Sequence, residues 1–116
     1  MELVKIGEKN LGVKEFEGKR VVTAWDVAEV HGKPVKRVSE QFERNEKYFI
    51  HGEDFLEITK EEFRVAFSDS EINIPNNVKM IRLFTESGYL RLVKTFNDDL
   101  SWKIQRILIK SYFKVF

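Results

Sequence analysis

Between residues 23 and 45 the chain reads TAWDVAEVHGKPVKRVSEQFERN, two short runs of helical periodicity separated by Gly32 and Pro34. No other stretch limits the possible folds as much. Thr23 is a residue type that caps a helix start with its side-chain oxygen, and Gly32 tolerates the left-handed conformation that ends one. A helix is therefore expected from Ala24 to His31, its inner face holding Ala24, Val27, Ala28, Val30 and His31. Pro34 has its φ preset for a first helical turn and opens a second helix from Val35 to about Glu46. That helix offers a narrow apolar stripe of Val35, Val38 and Phe42 and turns Lys36, Arg37, Glu40, Gln41 and Arg44 outward. Small Ala28 lets the second helix approach the first, Gly32 makes the turn, and Val38 re-enters the core. The spacing is that of a helix-turn-helix over about 23–46, although His31 stands at a usually apolar position and Pro34 lies in the turn.

Around this motif, helical and strand patterns alternate over short distances. Leu3, Val4 and Ile6 read as a strand, and Val13 to Phe16 and Arg20 to Thr23 flank a Glu17-Gly18 turn. A strand at Phe55 to Ile58 leads into Thr59-Lys-Glu-Glu62, a capping box for a short helix carrying Phe63, Ala66 and Phe67. Residues 68–79, SDSEINIPNNVK, read as an exposed loop. A strand at Met80 to Phe84 precedes a helix over about 86–96, capped by Thr85, with Tyr89, Leu92, Val93 and Phe96 at i, i+3, i+4, i+7. The last helix, about 99–115, follows the Asn97-Asp98-Asp99 cluster. Its apolar positions Leu100, Trp102, Ile104, Ile107, Leu108, Ile109, Tyr112, Phe113 and Val115 surround most of the helix, leaving a basic strip of Lys103, Arg106, Lys110 and Lys114. Such a helix is either central to the core or shared with a second copy, which makes a homodimer through it an expectation. With no repeat, no low-complexity tract and two prolines, residues 1–116 are expected to form one small α+β domain.

A chain of 116 residues buries roughly two thirds of the surface its unfolded form exposes, so it needs neither metal nor disulfide to hold a core, and it has no cysteine to supply either. No run approaches the roughly 18 apolar residues of a bilayer span, and MELVKIGEKN lacks the apolar centre of a signal peptide, so the expectation is a cytoplasmic protein with no membrane partner. Enzyme chemistry is hard to assemble from the inventory. His31 and His51 are the only histidines, and the glycines are too dispersed for a phosphate-cradling loop. Ser87 lacks the preceding glycine of a nucleophile elbow, and Glu61-Glu62 and Asp98-Asp99 sit at helix starts where negative charge complements the dipole. His31 is read as a packing or capping residue. A non-enzymatic protein without cofactor or metal is expected.

The outward face of the second helix is where a binding function is legible. Lys36, Arg37, Gln41 and Arg44 include the side chains that best pair with guanine and adenine edges or with phosphate, so they are the expected contacts to double-stranded DNA. Lys33 in the turn, and Lys19 and Arg20 on the neighbouring hairpin, would hold phosphates, as the wing of a winged helix does. The same face admits another account, because Lys36 with Glu40 and Glu43 with Lys47 are i,i+4 pairs that would make it a salt-bridged solvent surface. Trp25 could contact a backbone or a partner, or pack against a nearby loop. The formal charge is +1, from 20 basic and 19 acidic residues, and it is a cancellation. Residues 46–77 hold three basic and eight acidic residues, whereas 78–116 hold eight and three.

Three segments taken in order, FEGKRVVTAWDVAEVHGKPVKRV, RNEKYFIHGEDFLEITKEEF and LFTESGYLRLVKTFNDDLSWKIQRILIKSYF, carry a family resemblance. They include a strand ending in VVT before the helix-turn-helix, an RN followed by an aromatic pair, GEDF with ITKEE, and FTESG opening a helix. From about Phe16 to Phe113 the chain resembles the N-terminal domain of phage antirepressor and regulatory proteins, the KilA-N-related "ORF six N-terminal" type, with Rha-type phage regulators and Bro-N as relatives. The resemblance implies a small α+β DNA-binding domain of phages, prophages and large DNA viruses, often followed by a separate C-terminal domain. It implies a transcriptional regulator or antirepressor. It supplies no DNA contacts residue by residue, and an antirepressor can act instead as a protein-interaction module that binds a repressor.

Overall fold

The computed structural model describes residues 2–114. Val115, counted above in the last helix, lies outside them. Strands β1 (Leu3–Ile6) and β2 (Lys9–Gly12) form an antiparallel ribbon; β2, whose KNLG sequence carries no strand pattern, is an addition to the expected elements. A second ribbon pairs β3 (Lys14–Phe16) with β4 (Lys19–Val21) across Glu17-Gly18. Both turn residues have positive φ, 52° and 79°, the mirror-image turn whose twist matches that of the strands it joins. The third ribbon pairs β5 (Phe55–Thr59) with β6 (Met80–Phe84). Val22 and Phe84 exchange backbone hydrogen bonds of 2.9 and 2.8 Å, which ties the end of the second ribbon to the third.

Helix α1 (Ala24–His31) begins and ends as its sequence dictates. Thr23 Oγ1 accepts from the Asp26 N–H, the Asp26 carboxylate accepts from the Thr23 N–H, and Gly32 closes the helix in the left-handed region at φ 65°. Helix α2 (Val35–Arg44) stops earlier than expected. Asn45 donates from its side chain to the Gln41 carbonyl at 2.9 Å, satisfying one of the orphan groups of a helix end, and the chain continues as a 3-10 turn at Glu46–Tyr48. The capping box of Thr59 and Glu62 starts α3 (Lys60–Ala66), which buries Phe63 while Ala66 stays exposed. The 68–79 loop is only partly exposed, because Ile74 is buried and Ile72 and Val78 pack on the core beneath it.

Helix α4 (Glu86–Leu92) is shorter than its apolar spacing suggested, yet Val93 and Phe96 beyond its end are still buried. Its approach to the 50–54 loop requires a glycine, since a Cβ at Gly88 would lie 1.8 Å from the Asp54 carbonyl oxygen. Helix α5 (Asp99–Ile107), capped by Asp98, widens into π-helical turns over Leu108–Phe113. There Tyr112 is wholly buried, its hydroxyl donating to the Val21 carbonyl at 2.5 Å and accepting from the Lys14 N–H at 3.0 Å.

Two apolar clusters hold these elements. The smaller joins Val21, Ile58, Phe63, Phe67, Ile81 and Leu83, with Trp25 against its edge; this is the loop-side packing open to that residue. The larger centres on Phe42, whose ring lies 4.8, 5.1 and 5.6 Å from the rings of Phe49, Phe55 and Phe84. Each tilted or edge-on pair adds about 0.5–1.5 kcal/mol beyond area burial. Phe42 therefore fixes α2 against the third ribbon and decides which face of α2 is left outside.

Candidate nucleic-acid interface

Lys36, Arg37, Glu40, Glu43 and Arg44 are exposed along the outer side of α2. The i,i+4 pairs that would make this a salt-bridged surface do not form: among the described residues Lys36 and Arg44 have no carboxylate within ion-pair distance, nor do Glu40 and Glu43 have a cation. Arg37 rests its guanidinium 5.5 Å from the Phe96 ring centre, a contact that steadies the side chain and leaves its charge unneutralised.

Three of the expected contacts are placed differently. Gln41 is not outward but 9% exposed, because the end of α4 packs on the flank of α2 where it sits. Its side-chain amide makes no hydrogen bond among the described residues and lines two adjoining clefts. Lys33 is drawn inward to Asp98, Nζ to Oδ1 2.8 Å, and lies 5.0 Å from the Phe96 ring centre, so it fastens the turn between α1 and α2 to the start of α5. The same ammonium holds the Asp98 carboxyl well below its ordinary value. Arg20 donates to the Tyr112 carbonyl at 3.2 Å and reaches Glu2 at 3.5 Å. Lys19 is exposed at the hairpin, but it and Arg20 line a cleft with Glu53, Glu86 and Phe113 that contains no α2 residue.

What the structure brings beside α2 instead comes from 50 residues further along. One cleft of about 760 Å³ is lined by Gln41, Asn45, Tyr48, Leu90, Arg91 and Lys94, and a second of about 420 Å³ by Arg37, Glu40, Arg44 and Thr95. They share Gln41, Asn45 and Thr95 and so form one groove down the side of the helix. Its lining holds four cations and one carboxylate, Glu40. Lys94 is exposed and unpaired among the described residues. Arg91 is partly engaged: its Nη1 is 3.5 Å from Asp54 Oδ1, whose oxygen also accepts from Ser87 Oγ at 2.6 Å. Burial alone would raise the Asp54 pKa; the Ser87 hydroxyl, the Ile50 N–H and Arg91 outweigh it and hold the carboxyl below its ordinary value. The only forewarning of Lys94 and Arg91 in the sequence is the basic excess of the final third.

Among the described residues no group of three histidine, aspartate or glutamate side chains could hold a metal ion, and no helix is long and apolar enough to cross a membrane. No curated protein and no solved structure matches the chain. A family model does: residues 11–95, from β2 through α1, α2 and both later ribbon strands to the end of the groove wall, match the ORF6N domain, and the chain belongs to the ORF6N family.

Proposed function

We propose that this domain is the DNA-binding part of a phage or prophage-derived transcriptional regulator, and that it places the outer face of α2 in the major groove of double-stranded DNA. The observation that carries this reading is the set of exposed, unneutralised cations Lys36, Arg37 and Arg44 on the second helix of a helix-turn-helix. Arginine pairs bidentately with guanine, and each such pair discriminates by about 1–3 kcal/mol against a wrong base. The Arg37→Ala/Arg44→Ala double variant should therefore lose at least about tenfold in affinity for a duplex selected from a random pool. Unchanged binding at moderate salt would remove α2 as the reader.

A second reading has its own support. Glu40 and Glu43 are equally exposed and unpaired on the same face, which suits docking on a repressor protein better than on a polyanion. Ionic strength separates the two, because contacts to several phosphates weaken steeply with salt whereas apolar docking does not.

A further inference from the structure

We infer that the groove between α2 and the end of α4 is a seat for one sugar–phosphate strand, with Lys94 and Thr95 holding a phosphate from its far wall. This rests on the DNA-binding reading above and adds a contact that the helix-turn-helix alone does not supply. An α-helix is about 10–12 Å across and the major groove about 12 Å wide, so a helix lying in the groove has a phosphate strand close along each flank. An element packed directly on one side of α2 meets that strand. Here the element is the turn that follows α4, and its Lys94 and Thr95 present an ammonium and a hydroxyl, the donor types that contact phosphate.

The groove has the chemistry of a strand seat along its length. Arg37 and Arg44 line its near side and Arg91 and Lys94 its far side, with Glu40 the one carboxylate. Its lining includes Gln41, whose side-chain amide makes no hydrogen bond among the described residues and so keeps its donors open to the groove. Exposed Tyr48 stands at one end, with Lys47 Nζ 5.2 Å from its ring centre. The opposite flank of α2 is unlike this: the cleft there is lined by Trp25, Pro75, Val78, Met80 and Ile81, and its one cation, Arg82, lies over the Phe42 ring. The asymmetry makes the α4 side the one that faces a phosphate strand.

The test uses the whole chain and a mixed-sequence duplex, because a phosphate contact is blind to sequence. Lys94→Gln, at an exposed position, should keep the fold while flattening the slope of log affinity against log salt by about 0.9, so that a fourfold rise in salt costs wild type about 3.5-fold more affinity than the variant. On a duplex selected from a random pool, which fixes one register, a single uncharged methylphosphonate linkage moved along each strand should find one position where wild type loses affinity and Lys94→Gln does not. If the slope and the scan are the same for both proteins while Arg37→Ala/Arg44→Ala loses binding, the strand seat is wrong and the reading helix stands. If neither variant changes binding, α2 is not the reader and the groove inference falls with that reading; if wild type binds no duplex at either salt, the DNA-binding reading itself falls.

Discussion

His31 is held at both ring nitrogens, Nδ1 2.9 Å from Ser101 Oγ and Nε2 2.6 Å from the Tyr89 hydroxyl, so a neutral imidazole that donates at one nitrogen and accepts at the other completes the site. Burial penalises the imidazolium and is the main reason the pKa falls from 6.5 to about 4; Asp98 pulls it up and Lys33 pushes it down by less. Burial also pushes the Tyr89 hydroxyl above its ordinary pKa, so the partner stays protonated. The consequence for stability has a definite sign. In the unfolded chain the ring titrates at its ordinary value, so between pH 6.5 and about 4 the unfolded state binds more protons than the native one. The contribution is complete above pH 6.5 and is lost as the pH falls toward 4, by about 3 kcal/mol in all. Urea unfolding at pH 7 and pH 5 should show about 2 kcal/mol of this loss in wild type and a smaller one in His31→Gln. Equal losses in the two proteins would place the acid sensitivity elsewhere.

At the scale of elements, the second ribbon is locked to α1 by a buried ion pair. Lys14 on β3 points Nζ at Asp26 Oδ1, 2.9 Å away, while the other Asp26 oxygen caps α1, and both residues are under 5% exposed. Removing one member leaves a charge with no partner in a medium that solvates it poorly, so Asp26→Ala should cost about 3–5 kcal/mol. The double variant Lys14→Met/Asp26→Ala should recover part of that cost, and strictly additive single effects in a urea cycle would show that the two side chains do not couple. The same residue illustrates what the sequence made legible. Caps at Thr23, Thr59, Thr85 and Asp98 act over three residues, and all four are where a local reading puts them. The mirror-image turn at Glu17-Gly18 is local too. What was not legible depends on distant partners: Lys33 turns inward because of an aspartate 65 residues away, and Gln41 is covered because α4 lies on its flank. The short strand β2 has no apolar alternation and exists because β1 offers it a partner. Helical spacing marked Val93 and Phe96 correctly as buried but extended the helix to them, whereas α4 ends at Leu92, since an irregular segment can bury the same side chains.

At the scale of the molecule, the wide apolar surface of the last helix is mostly spent inside the domain. Ile104, Leu108, Tyr112 and Phe113 are buried, closing the larger core from below. Leu100 and Trp102 stay 48% and 63% exposed. Two residues apart on an α-helix, they point roughly 200° away from one another and so belong to opposite flanks of α5. Leu100 stands beside the helix-turn-helix turn, 3.5 Å from where a Cβ on Gly32 would be, while Lys103 and Arg106 are exposed on the same helix. A second copy docking on either flank would bury one large apolar side chain near like-charged groups, far from the several hundred square ångströms of apolar surface that a stable dimer covers. The expected result is the mass of one protomer in light scattering up to about 0.01 mM, a concentration at which a dimer held by no more than about 5 kcal/mol is still mostly dissociated. A dimer mass that returns to the protomer mass in Trp102→Ser would reverse this and make α5 an interface. Under the DNA-binding function proposed above, a monomer would read one half-site, so the selected duplexes should contain a single short asymmetric motif with no palindrome at a spacing of one helical turn.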